Sequence, residues 1–109
     1  MHEFALLFRR RVPIEPAEVP ALNAAARTWA LALRDRGLLR TASPLEEDGR
    51  VVSAHGVGPV ADPAAIASVL VIEAESLAAA VALTQGHPGL AHGVEIEVRP
   101  VKIVAPPPR

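Results

Sequence analysis

The 109-residue chain contains no cysteine, which excludes disulfide bonds and thiol chemistry and is typical of proteins in a reducing compartment. It also lacks an excess of either charge. The formal net charge is −1, so the chain has no general attraction for nucleic acid or anionic lipid. No apolar run reaches the roughly 18 residues of a membrane-spanning helix, and the amino terminus does not resemble a signal peptide. We therefore expect a cytoplasmic protein with neither a nucleic-acid partner nor a membrane partner.

Aromatic residues are also scarce, since Phe4, Phe8 and Trp29 are the only ones. Half of the residues are nevertheless apolar, which predicts a folded chain, and its length suits a single domain. Because alanine, valine and leucine supply most of this apolarity, each buried side chain contributes little area, and burial in an oligomer would add stability. We expect the domain to span residues 1–101, followed by a Pro-rich extended tail over residues 102–109.

Hydrophobic periodicity and turn residues predict four main strands and two helices. The strands are expected at about 3–9, 38–42, 68–74 and 94–99, and the helices at about 20–36 and 77–85. Gly37 suits the left-handed position that ends the first helix, and Ser76 suits the amino cap of the second. This order of elements predicts an α+β fold with a ferredoxin-like βαββαβ antiparallel sheet.

The segment between the second and third main strands is expected to add a small hairpin. Asp48-Gly49 is a favourable tight-turn pair, and it would join a strand around Leu45 to one around Val51-Val52. Residues 54–65, which contain two glycines and two prolines, are expected to form a loop.

The helices each show an apolar stripe at three- and four-residue spacing. The residues predicted to face inward on the first helix are Leu22, Ala25, Ala26, Trp29 and Leu33, with Asn23, Arg27 and Arg34 on the opposite side. On the second helix they are Leu77, Ala80, Val81 and Thr84.

The first and third main strands are apolar on both faces. In the first strand, Phe4, Leu6 and Phe8 face one way, and Ala5 and Leu7 face the other. The helices of a ferredoxin-like fold cover one face of the sheet, and an apolar face of several hundred Å² is unusual on a soluble monomer. A second copy of the sheet, related by a two-fold axis, is the simplest cover, so we expect a homodimer.

Three short motifs lie on these predicted elements. They are Phe4-Ala5-Leu6-Leu7-Phe8 in the first strand, Trp29 eight residues before Gly37, and Glu97-Val98-Arg99-Pro100 in the last strand. With them the chain resembles, over residues 3–101, the YCII-related family, and within it the branch with an Asp-Gly-Pro-Phe signature. That signature is degenerate here and reads Val57-Gly58-Pro59-Val60. The resemblance implies a dimeric α/β barrel with a cleft of unassigned use.

The resemblance does not bring a catalytic activity with it. In the namesake branch of the family, a histidine on the first helix and an aspartate before a proline after the second helix form a proposed catalytic dyad. The matching positions here are Ala26 and His87. The dyad is therefore absent from this chain.

His87 is the candidate catalytic residue on other grounds. It follows the helix-ending Gly86 and precedes Pro88, where the backbone is restricted, and the dipole at a helix carboxyl end favours a charged imidazole. In that form His87 would act as a general acid, or would contact an anion, near neutral pH. The alternative is that its side chain caps the last carbonyl groups of the helix.

For a small-molecule ligand we expect a cleft lined by Trp29, His55 and Arg99 in addition to His87. Trp29 would form an apolar wall, Arg99 would contact an anion, and His55 would reach in from the central loop.

Two other functions remain open from the sequence. The first is an isomerase- or lyase-like enzyme that acts on a small carbonyl compound, with His87 as acid or base and Glu95 or Glu97 as its partner. The second is a non-catalytic module that binds another protein through the apolar sheet face. No metal or other cofactor is predicted, because His2, His55, His87 and His92 do not have the spacing of a metal site.

Overall fold

A computed structural model describes residues 1–60 and 66–104 of the chain. Eight helices and strands follow one another in this part, apart from two short 3₁₀ turns at Pro16–Glu18 and Pro88–His92. They are β1 (His2–Arg10), α1 (Val19–Asp35), β2 (Leu39–Pro44), β3 (Arg50–Ser53), β4 (Gly56–Pro59), β5 (Ile66–Ala74), α2 (Leu77–Thr84) and β6 (Val94–Pro100). The predicted strands and helices are found within a few residues of their expected bounds.

The four long strands form one antiparallel sheet in the order β2-β5-β1-β6. The two central strands, β5 and β1, are the ones whose sequence is apolar on both faces. This mixed α+β architecture, with two helices and antiparallel strands, is consistent with the predicted ferredoxin-like fold.

The core lies between the helices and one face of the sheet. On β1, the alternation of the strand turns Phe4, Leu6 and Phe8 towards the helices, and Leu6 and Ile72 of β5 are fully buried there. Val94, Ile96 and Val98 of β6 pack against the same core, as the strict alternation of that strand predicts. The helices contribute the buried side chains Leu22, Leu33, Ala80 and Thr84.

Two predicted helix boundaries are confirmed in detail. Gly37 has a φ of +72°, the left-handed conformation expected of the residue that follows α1. The Ser76 hydroxyl accepts a hydrogen bond from the Ala79 N–H at 3.1 Å, which satisfies one of the free donors at the start of α2.

The inward face of α2 differs from the prediction. Ala80 and Thr84 are buried as expected, but Leu77 and Val81 are 46% and 37% exposed. Ala79 and Leu83 pack against the core in their place. Because α2 is apolar all around, the sequence had no polar side to mark the direction of solvent.

The extra hairpin exists, but the predicted position was wrong. It is formed by β3 and β4, with Ser53 opposite Gly56, so the turn falls at Ala54-His55 rather than at Asp48-Gly49. Gly56 has a φ of +123°, and the Ser53 hydroxyl accepts a hydrogen bond from the His55 N–H at 3.2 Å. These two features favour a turn at Ala54-His55. Residues 61–65 of the predicted loop lie outside the described residues.

The sheet face that points away from the helices has an apolar centre with a charged border. Ala5, Leu7, Val69 and Val71 form the centre, and each is half-buried in the single chain. At its border, Arg9 pairs with Glu97 at 2.9 Å and Arg40 pairs with Glu73 at 2.6 Å. We call this surface the open sheet face.

No helix in residues 1–60 or 66–104 is both long enough and apolar enough to cross a membrane. The expected Pro-rich tail is described only to residue 104, and residues 105–109 lie outside the described part.

Candidate functional site

A cleft of about 1470 Å³ lies between α1, the helix-facing side of the sheet and the segment that joins β2 to β3. Its apolar lining includes Phe8, Leu22, Trp29, Leu70 and Val94. Most of these side chains also border the core, so the floor of the cleft is an edge of the core. A concave site with an apolar floor and polar groups around it is typical of small-molecule sites.

Three rings meet at one corner of the cleft. The His87 ring lies 5.0 Å from Phe8 and 4.8 Å from Trp29 between centroids, and both contacts are edge-on. Phe8 and Trp29 are 6.4 Å apart and are also edge-on. This geometry is favourable for aromatic rings, because the positive edge of one meets the negative face of another. We call Phe8, Trp29 and His87 the aromatic corner.

Trp29 is anchored by its indole nitrogen. The Nε1–H donates a hydrogen bond to the Leu83 carbonyl at 3.2 Å, near the carboxyl end of α2. This hydrogen bond links α1 to α2. It also satisfies the Leu83 carbonyl, which lies in the last turn of α2 and has no partner within that helix. Trp29 is therefore held as a fixed wall of the cleft, while its ring remains half-exposed.

His87 has a different local role from either of the two expected. Its Nδ1 accepts a hydrogen bond from the Gly89 N–H at 2.9 Å, so the side chain caps the start of the turn at Pro88–His92. It does not bind the last carbonyl groups of α2, the carboxyl-end capping that was expected. An acceptor at Nδ1 places the ring proton of the neutral imidazole on Nε2.

The expected charged form of His87 is also contradicted. Burial lowers the pKa of His87 from its ordinary value, because desolvation disfavours the imidazolium. The helix dipole does not prevail here, because the ring packs against Phe8 and Trp29 and is partly removed from water. At neutral pH, His87 is therefore a neutral ring that offers an Nε2–H donor.

That donor is free to meet a ligand. Within residues 1–60 and 66–104, the Nε2 of His87 has no protein acceptor, and no buried side-chain nitrogen or oxygen is left without a hydrogen bond. His87 is one of the residues that line the cleft. A neutral imidazole donor can polarise a carbonyl or bind a phenolate without transferring a proton.

Two of the four predicted site residues lie elsewhere. His55 occupies the turn of the β3–β4 hairpin, where it lines a shallow groove formed by the hairpin itself. Arg99 lies on the open sheet face, is largely exposed and is 3.6 Å from Glu97. The structure thus brings Trp29 and His87 together, and it separates both from His55 and Arg99.

Glu95 and Glu97 also lie on the open sheet face. Arg11 pairs with Glu95 at 2.6 Å, and Arg9 pairs with Glu97 at 2.9 Å. The strand alternation that turns Val94 and Ile96 inward turns these carboxylates away from His87. The expected acid–base pairing of His87 with Glu95 or Glu97 is therefore contradicted.

Sequence reasoning missed a polar wall of the cleft. Asn23, Arg27 and Arg34 line it from α1, and Arg10 lines it from the end of β1. The three α1 residues were expected on the side opposite the core, but their spacing of four and seven residues keeps them along one side of the helix. This spacing shows in the sequence that the three residues share one side of α1. It does not show that this side borders a cavity.

Metal ligands do not cluster in the described part of the chain: residues 1–60 and 66–104 hold no group of three histidine, aspartate or glutamate side chains that could bind an ion. His92, one of the histidines considered, lies 3.3 Å from a carboxylate oxygen of Glu18.

Comparison with known proteins identifies the family. The model of the YCII-related domain matches residues 4–104. The chain belongs to the YCII-related family. No curated protein sequence matches it.

A solved structure gives this YCII-related chain a structural neighbour. It is 5-chloro-2-hydroxyhydroquinone dehydrochlorinase from Burkholderia phenoliruptrix AC1100, in complex with 2,5-dihydroxybenzoquinone. The two are 18% identical and superpose with a TM-score of 0.60 over 91% of this chain and 93% of the other. At this identity, the likeness shows a shared fold.

Proposed function

We propose that this YCII-related protein is a homodimer that binds a small planar organic molecule in the cleft beside α1. The observation that carries the proposal is the aromatic corner, where the rings of Phe8, Trp29 and His87 meet at the cleft and the His87 Nε2–H has no acceptor within the described residues. A flat ligand would contact ring edges and faces there, and one of its oxygen atoms would accept the Nε2–H.

The solved neighbour supports this class of ligand. Its complex contains 2,5-dihydroxybenzoquinone, a flat ring with oxygen substituents. Such a molecule could pack against the rings of the aromatic corner and would offer an acceptor for His87. The cleft is also large enough, since a volume of about 1470 Å³ exceeds that of most small-ligand sites.

The same contacts favour binding over acid–base catalysis by His87. A general base needs a free lone pair, but the Nδ1 lone pair is engaged by the Gly89 N–H and Nε2 carries the proton. A general acid near neutral pH needs the imidazolium, which burial disfavours. The proposed site therefore consists of Trp29, His87 and Phe8, with His55 and Arg99 outside it.

The homodimer is supported by the open sheet face. Leu7, Val69 and Val71 would meet the same residues of a second copy, and the charged border would remain at the rim. The test is light scattering over a range of protein concentrations. Wild type should be a dimer and Leu7→Glu a monomer, with Val52→Glu on the exposed hairpin as the control. A wild-type monomer at all concentrations would refute the dimer.

The binding proposal is tested by calorimetric titration with 2,5-dihydroxybenzoquinone. Trp29 gives a second readout, because the chain has one tryptophan and no tyrosine, so binding at the corner should quench its fluorescence. His87→Ala should weaken binding roughly tenfold, since it removes a hydrogen bond and a ring contact. His55→Ala, which removes an imidazole outside the cleft, is the matched control. Equal affinity in wild type and His87→Ala would contradict the proposed site.

A further inference from the structure

We propose that Arg10 and Arg27 form an anion-binding wall of the cleft, so that its ligand carries an acidic oxygen group at this end. The inference rests on the proposed binding function and deepens it by naming the charge of the ligand. It assigns the anion contact to Arg10 and Arg27, two arginines of the cleft, since Arg99 lies on the other side of the sheet.

Two arginines of the cleft differ from the others in having no carboxylate partner within the described residues. Six arginines of the described chain have a carboxylate within 4.0 Å: Arg9, Arg11, Arg34, Arg40, Arg50 and Arg99. Within residues 1–60 and 66–104, neither Arg10 nor Arg27 has such a partner, yet both line the cleft. Their charges are therefore available to a ligand, whereas a pairing arginine would first have to give up its carboxylate.

Arg10 and Arg27 lie on two elements, β1 and α1, that also carry rings of the aromatic corner. Arg10 is two residues after Phe8 on β1, so the alternation of the strand places it on the same face of the sheet. Arg27 lies on α1, two residues before Trp29 and therefore on a different side of the helix, and it also lines the cleft. The cleft that a ring at the corner would occupy thus carries arginines on both its sheet wall and its helix wall.

The cleft carries carboxylates on the wall formed by the segment between β2 and β3. Glu46 and Glu47, which follow β2, line the wall of the segment between β2 and β3, and within the described residues they have no cationic partner. They repel an anion on their side and so favour one orientation of an acidic ligand, with its charge towards the arginines. Guanidinium groups suit this task because their fork of N–H donors fits a carboxylate or an enolate oxygen pair.

The test compares three probes that share one ring and differ in charge. They are 2-naphthoate, the neutral 2-naphthamide and the cationic 2-(aminomethyl)naphthalene, each titrated calorimetrically into the full-length protein. We expect 2-naphthoate to bind roughly tenfold more tightly than 2-naphthamide, because one charge-assisted hydrogen bond contributes about that factor. Its affinity should fall with added salt, since the arginines are exposed.

Two single substitutions test whether Arg10 and Arg27 cause the preference for 2-naphthoate. Arg27→Gln and Arg10→Gln should each reduce the preference for 2-naphthoate and leave the affinity for 2-naphthamide unchanged, a pattern that a loss of folding would not produce. Arg36→Gln is the matched control: Arg36 caps the carboxyl end of α1, is exposed and does not line the cleft. It removes the same charge and should leave the preference intact.

The outcomes separate the two proposals. Equal binding of all three probes, or an unchanged preference in both Arg27→Gln and Arg10→Gln, would overturn the anion wall and leave the cleft as a binding site. Failure of all three probes and of 2,5-dihydroxybenzoquinone to bind would overturn both proposals.

Discussion

The cap formed by His87 can be separated from the packing of its ring by two substitutions. His87→Ala removes both the Nδ1 acceptor of the Gly89 N–H and the ring between Phe8 and Trp29. His87→Asn removes the ring but keeps an oxygen that can accept from the same N–H, since asparagine is a good capping residue. The difference between the two variants therefore measures the cap.

The expected magnitudes follow from the contacts. Loss of a capping side chain costs about 1 kcal/mol, and loss of the edge contacts of the ring costs about 1 to 2 kcal/mol more. We expect His87→Ala to lower the free energy of unfolding by about 2 to 3 kcal/mol. His87→Asn should recover about 1 kcal/mol of that loss.

The same site predicts a pH dependence with a definite sign. Burial lowers the pKa of His87 below its ordinary value of about 6.5, so the unfolded chain takes up the proton first as the pH falls. The contribution to stability is complete above about pH 6.5 and is lost as the pH falls through the pKa of the folded protein. Protonation also removes the lone pair that accepts from the Gly89 N–H.

Urea denaturation between pH 8 and pH 5 measures both effects, with circular dichroism as the probe. Wild type should lose stability towards pH 5, and both variants should lose less because the titrating ring is gone. Equal stability of His87→Ala and His87→Asn at pH 8 would refute the cap. The same acid-induced loss in wild type and both variants would refute the assignment of the pH dependence to His87.

The remaining predictions concern two glycines with left-handed backbone, measured by thermal and urea unfolding. Gly37→Ala should destabilise by about 1 kcal/mol, because its φ of +72° disfavours a side chain while nothing lies within 4 Å of the new methyl group. Gly93 has a similar φ of +81°, so Gly93→Ala carries the same backbone penalty as Gly37→Ala. It should lower the free energy of unfolding by about 1 kcal/mol more, because its methyl group would also overlap Val12. Equal losses would show that the Val12 side chain moves aside without cost.

The elements whose prediction succeeded are those with a local cause. Ser76 caps α2 and Gly37 ends α1 because each acts on backbone groups a few residues away. The alternation of β6 likewise predicts its own inward face, since successive side chains of a strand must point in opposite directions.

The predictions that failed depended on contacts between distant parts of the chain. The inward face of α2 is set by what packs against it, and its apolar sequence allowed Leu77 inward as readily as Leu83. His87 was assigned a charge from the neighbouring helix, but its pKa is lowered by burial beside rings from two other elements. Neither effect is visible in the local sequence.

The amino-acid sequence by itself determined the order of the four main strands and two helices, their approximate bounds, and the presence of central strands that are apolar on both faces. These features follow from hydrophobic period and backbone capping, which act over one or two turns. The tertiary structure alone decided which polar residues share a cavity: it placed Arg10 and Arg27 on the same cleft as the aromatic corner and Arg99 on the open sheet face. The physical reason is that a cleft is made by the packing of separate elements, so its members have no fixed spacing along the chain.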